Sequence, residues 1–112
     1  MRVPLEYSTR GLTDPEAHYG ARAVRYWVDK IDHRRPDAIA CRVAIDREAH
    51  TEGSRGPLRV RVELTMPPRP AMVAVRSAGD GVPGEGVATP VAEAFRKLQA
   101  RIETEEAKRR RH

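Results

Sequence analysis

The groups in this chain that could do chemistry are few, and their spacing does not suit catalysis. His18, His33, His50 and the single cysteine, Cys41, show none of the short ligand spacings that hold a metal ion. Asp46 with Glu48, and Glu105 with Glu106, are carboxylate pairs, but neither lies beside a plausible nucleophile or an obviously apolar pocket, so solvated surface carboxylates are expected. Gly79, Gly81 and Gly84 satisfy the pattern Gly-x-Gly-x-x-Gly between a strand and a helix. A dinucleotide loop is rejected there: the helix starts several residues late, Pro83 stiffens the loop, and no further strand follows to supply a ribose-binding acid. No enzyme activity, metal, cofactor or small-molecule substrate is expected. What remains is positive charge. Lys and Arg number 21 against 16 Asp and Glu, for a formal net charge of +5, a balance that favours a polyanionic partner if the cations cluster.

They do cluster once placed on elements. At helical spacing Lys97, Arg101 and Lys108 share one flank of a C-terminal helix, and Glu103 and Glu106 fall on the other. Such sorting predicts a positive strip able to follow a phosphate backbone, against the plainer reading that the long side chains cover the edge of the core. On an N-terminal helix His18, Arg22 and Arg25 share a flank, joined by Asp29. Arg42, Arg59, Arg61 and Arg76 are expected to project from neighbouring strands onto an open sheet face with few carboxylates, Asp46 and Glu63. The chain has one Trp, three Tyr and one Phe, and none is expected on that strand face. A base-stacking single-strand platform is therefore disfavoured, and shape and backbone recognition of folded RNA fits better.

The elements that must position these groups are legible in the hydrophobic pattern. Val3, Leu5 and Tyr7 alternate as a short strand, and Thr13 to Glu16 form a capping box with Pro15 in the first turn of a helix. Ala17, Ala21, Val24, Val28 and Ile31 make its apolar stripe, with Trp27 on the shoulder, and the helix ends before Pro36. Ile39, Cys41, Val43 and Ile45 alternate next, followed by Leu58, Val60, Val62, Leu64 and Met66. Pro67, Pro68 and Pro70 force a turn into a short run in which Val73 and Val75 are expected to share the buried face. A last helix, capped by Thr89 and Pro90, carries Val91, Phe95, Leu98 and Ile102.

The fold class is therefore α+β: a βαβββα order, with a four-stranded mixed sheet and both helices packed on one face, like a double-stranded-RNA-binding domain. Cys41, among apolar neighbours, is expected to be a buried thiol in a reducing compartment. Glu6 and Arg10 interrupt the apolar residues near the N-terminus, no stretch is long enough to span a membrane, and a cytoplasmic location is expected.

In this order of elements the chain resembles the ribosome hibernation promoting factor family, also called the ribosome-associated inhibitor or sigma-54 modulation family. The resemblance spans nearly the whole chain. It is carried by Leu12-Thr13 followed by Arg22 and Arg25, and by Val91-Ala92-Glu93, then Lys97-Leu98 with Ile102, which look like the family's Ala-Ile-Asp and Lys-Leu-x-Arg-Gln-Leu patterns. It implies a domain over residues 1–107, with a basic tail over 108–112, that lodges in the small-subunit channel near the decoding centre, binds ribosomal RNA and blocks translation sterically. Arg22, Arg25 and Lys97 stand at positions corresponding to that family's RNA-contacting basic residues; its usual arginine falls on Ala100, beside Arg101. Two other readings remain open at this level: a general module for structured RNA, and an assembly domain that pairs through its open sheet face, with the oligomeric state undetermined.

Overall fold

The computed structural model describes residues 3–47, 57–77 and 86–110. Its elements are β1 (Leu5–Arg10), α1 (Asp14–Arg34), β2 (Ala40–Arg47), β3 (Leu58–Thr65), β4 (Met72–Ser77) and α2 (Ala88–Arg110). The strands lie in the order β1-β2-β3-β4, β1 parallel to β2 and the other pairs antiparallel, so the sheet is mixed. Both helices cover one of its faces. α2 continues through Arg110, so Lys108, Arg109 and Arg110 belong to the helix and not to a separate tail. Among the described residues no helix is long and apolar enough to cross a membrane.

The capping box at the start of α1 forms as its sequence specifies. Thr13 Oγ1 accepts from the Glu16 backbone N–H at 3.3 Å, and Glu16 Oε1 accepts from the Thr13 N–H at 3.0 Å, satisfying two otherwise orphaned donors. Just before it, Gly11 takes φ +75, and a Cβ there would stand 2.3 Å from the Arg47 carbonyl oxygen, so this bend from strand into helix admits no side chain.

The core is the layer between helices and sheet. Val24, Trp27, Val28 and Ile31 of α1 meet Cys41, Val43 and Ile45 of β2, and Val91, Phe95, Leu98 and Ile102 of α2 close over β3 and β4. Trp27 is buried, not merely on a shoulder, and stacks on Phe95 with ring centroids 5.9 Å apart and planes at 12°. Cys41 is a buried free thiol whose pKa is pushed up to about 12 by burial, which removes its nucleophilic form near neutral pH.

Two expectations about the strands need correction. Ile39 lies outside β2 and is exposed, its backbone N–H bonding the Thr65 carbonyl. On β4 the faces are reversed. Leu64 pairs with Met72 and Val62 with Ala74, so Met72 and Ala74 face the helices, while Val73 and Val75, opposite Glu63 and Arg61, turn to the open face. The period of two makes this a displacement of every β4 side chain by one position, and Arg76 therefore joins Ala74 on the helix side.

Gly20 sets the approach of α1 to the sheet. A Cβ there would meet Tyr7 Oη at 2.6 Å, Ile45 Cδ1 at 3.2 Å and Val87 Cγ1 at 3.3 Å, and the Tyr7 hydroxyl cannot simply retreat because it donates to the Ala17 carbonyl at 2.9 Å. Gly20→Ala gains about 1 kcal/mol of helix propensity, but overpacking costs typically about 1–3 kcal/mol. The variant should be less stable in urea, and Tyr7→Phe in the same chain should recover part of the loss. A Gly20→Ala chain more stable than the parent would contradict this account of the packing.

Candidate nucleic-acid interface

Lys97 and Arg101 lie one turn apart on the flank of α2 that faces the outer edge of β4. Lys97 Nζ donates to the Val75 carbonyl at 3.0 Å, and Arg101 Nη1 donates to the Val73 carbonyl at 2.6 Å. β4 is an edge strand, so these are carbonyls with no neighbouring strand to bond, and the two cations cover them while remaining exposed. Arg76 closes the row: its guanidinium bonds Glu93 of α2 and the Ser77 carbonyl. Arg76 was expected on the open sheet face, and the reversed register of β4 is the reason it is not there. Lys108 is exposed two turns beyond Arg101, 3.7 Å from Glu105. Glu106, on the opposite flank, bonds Arg35 at the end of α1, while Glu105 lies on the same flank as Lys97 and Arg101.

Arg22 and Arg25 are on the outer side of α1, where His18, Ala21, Arg22, Arg25, Tyr26 and Asp29 line a shallow depression. Arg25 is 3.9 Å from Asp29, one turn on, while Arg22 has no carboxylate partner among the described residues. Of the other acids on this helix, Glu16 is taken up by the cap and by Arg47 at 2.6 Å, Asp32 accepts from the Val3 N–H at 3.1 Å, and Asp14 is exposed in the first turn. The outer ridge thus carries Arg22 and Arg25 together with the exposed carboxylates of Asp14 and Asp29.

The open sheet face is more mixed than expected. Its rows, read across the strands, are Glu6, Arg42 and Glu63; Ser8, Ala44 and Arg61; and Arg10, Asp46 and Arg59. Arg42 bonds Glu6 at 2.7 Å and stands 3.9 Å from Glu63, and Arg61 is 3.7 Å from the same Glu63 carboxylate. Four arginines clear of acid are therefore not found there: Arg42 is flanked on both sides, Arg76 is absent, Arg61 stands beside Glu63, and Arg59 lies opposite Asp46, with Arg10 on the other side of Asp46 as an addition. Arg61 sits opposite Val75, whose carbonyl receives Lys97, but it stands on β3 on the open face while the α2 strip lies along the outer edge of β4.

Residues that the hydrophobic pattern did not single out complete the surface. Lys30 and Arg96 approach the buried Trp27 from α1 and α2, at 4.9 and 5.5 Å from its ring centroid, and bring two further cations into the valley between the helices. Among the described residues no group of three His, Cys, Asp or Glu side chains could hold a metal ion. The Gly79–Gly84 loop and the Glu48 and His50 side chains lie outside the described residues.

Fold and surface together define a two-layer βαβββα domain whose exposed side chains include cations on both helices and along one sheet edge. Among solved structures, a ribosomal subunit interface protein from Coxiella burnetii shares this fold: the match covers 94% of this chain and 99% of that one, with a TM-score of 0.66 at 11% sequence identity. No family model and no curated protein matches the sequence. The likeness is one of fold.

Proposed function

We propose that this chain associates with the ribosome, binding small-subunit ribosomal RNA near the decoding channel and excluding translation ligands by occupying their space. The observation that carries the reading is an end-to-end fold likeness to a ribosomal subunit interface protein in a chain whose helices expose Arg22, Lys97 and Arg101, which have no ion pair among the described residues. Nothing in this activity requires bond chemistry. Arginine and lysine side chains reach phosphate oxygens, position the domain and carry most of the affinity, while its rigid two-layer body supplies the bulk that obstructs the channel. Arg22, Arg25, Lys97 and Arg101 are its principal phosphate contacts, with Arg59, Arg61 and Lys108 as outlying ones. Arg42 and Arg76 contribute least, because their guanidinium groups already hold carboxylates.

The test is co-sedimentation with purified small subunits across a salt series. Each neutralised phosphate releases counterions, so four such contacts should weaken binding roughly hundredfold between about 50 and 200 mM salt. A generic RNA duplex in excess should not displace the protein. Co-migration indifferent to salt would overturn phosphate anchoring, and displacement by any duplex would replace ribosome specificity with general affinity for structured RNA.

A further inference from the structure

Two of the chain's tyrosines stand in solvent on the cationic ridge of α1. Tyr19 is 59% exposed and Tyr26 is 56% exposed. Seven residues make nearly two helical turns, so both rings emerge on one line about 10 Å apart along the axis, with Arg22 between them. Each ring has a neighbour at its edge: His18 lies T-shaped to Tyr19 at 5.9 Å, and Trp27 lies T-shaped to Tyr26 at 5.7 Å. Lys30 Nζ is 4.6 Å from the Tyr26 centroid, which further restrains that ring. Such restraint means that little side-chain freedom is lost when a flat ligand arrives.

We propose that this ridge is a stacking site for unpaired nucleobases, with Tyr19 and Tyr26 as the platforms and Arg22, Arg25 and Lys30 taking the adjoining phosphates. The inference rests on the ribosomal RNA reading and specifies how α1 engages it: by base faces as well as by backbone charge. Interleaved aromatic rings and cations are what a single-stranded segment requires, because every base presents a π-face and every link carries a negative charge. An apolar protein segment seated on the tyrosines would bury Arg22 and Lys30 against nothing anionic, at a desolvation cost that nucleic acid avoids. The edge of β4 offers the contrast, since Lys97 and Arg101 lie there with no exposed aromatic beside them.

The experiment compares the parent chain with Tyr19→Ala/Tyr26→Ala and Tyr19→Phe/Tyr26→Phe. Binding is measured to purified small subunits, to a short mixed-sequence single-stranded RNA and to an RNA duplex of the same length, each over a salt series. The alanine pair should weaken single-strand binding by about tenfold per ring lost while leaving the salt slope and the duplex affinity unchanged. The phenylalanine pair should bind within about twofold of the parent, because the ring face and not the hydroxyl makes the contact. Subunit binding should follow the single strand. An alanine pair that binds the single strand and the subunits as the parent does would overturn the stacking site and leave the ribosomal reading standing. A phenylalanine pair as weak as the alanine pair would also overturn it, in favour of hydroxyl-mediated contact with a protein or with the RNA backbone. If the parent chain binds neither subunits nor either RNA, the ribosomal reading fails, and the stacking site with it.

Discussion

A chain carrying Arg22→Gln, Arg25→Gln, Lys97→Gln and Arg101→Gln should bind small subunits about three orders of magnitude more weakly than the parent at about 0.1 M salt. Each lost phosphate contact lowers the slope of log affinity against log salt by about 0.7–0.9, so four lower it by roughly 3, and 0.1 M lies one decade below the 1 M reference. Glutamine is the right replacement on α2 because Lys97 and Arg101 have a second task. They donate to the Val75 and Val73 carbonyls at 3.0 and 2.6 Å, and alanine would bare the edge of β4 as well as remove charge. The amide has donors for those carbonyls and no charge, so an unchanged urea midpoint alongside lost binding would separate the two tasks. A quadruple variant that sediments with subunits as the parent does, and with the same salt slope, would remove the phosphate-anchoring mechanism.

Phe95→Ala should cost about 3–5 kcal/mol of folding stability. The ring is fully buried in the layer between α2 and the sheet and stacks on Trp27 of α1, so its removal opens a cavity where the two helices meet over the core. A small domain holds only about 5–15 kcal/mol in total, which brings this variant close to unfolding at ordinary temperature. Urea titration followed by Trp27 fluorescence gives a direct reading, since the probe sits against the deleted ring. Phe95→Leu, which keeps most of the volume, should retain a cooperative transition. A midpoint for Phe95→Ala displaced by less than about 1 kcal/mol would mean that the helices do not share this core.

The α2 residues in these two predictions lie on different surfaces of that helix, and the amino-acid pattern distinguished those surfaces to different degrees. The buried side follows from spacing alone: Val91, Phe95, Leu98 and Ile102 recur at helical intervals, and all are buried. The sorting of Lys97 and Arg101 away from Glu106 was equally legible, because it depends on position around one helix and on nothing else. What those cations touch was not legible. Their partners are carbonyls more than twenty residues earlier in the chain, on a strand edge, and no local pattern records that pairing.

The failure at β4 has a specific cause. Val73 and Val75 are the stronger strand formers, and hydrophobicity assigned them to the core, with Ala74 and Arg76 outside. Register is settled by hydrogen bonding to β3, where Leu64 and Val62 face the helices and bring Met72 and Ala74 with them. α2 lies over this strand, and the small side chain of Ala74 lets it do so. One displaced assignment moved Arg76 from the open face to an ion pair with Glu93. The same limit explains the open face itself. Glu6 precedes Arg42 by 36 positions, and their adjacency exists because β1 pairs in parallel with β2.

By itself the amino-acid order determined the six elements, the capped start of α1, the apolar stripes of both helices, the buried faces of β2 and β3, and the excess of cations on the outer helix surfaces. Each of these is a matter of periodicity or of neighbours within one or two turns, where backbone geometry alone dictates which side chains share a face. The tertiary structure decided the orientation of β4, the neutralisation of Arg42 and Arg76, the covering of the sheet edge by Lys97 and Arg101, and the exposure of Tyr19 and Tyr26 beside Lys30. Those are contacts between segments distant in the chain, set by strand register and by how closely Gly20 lets α1 approach the sheet, and such distances are fixed only when all the layers pack at once.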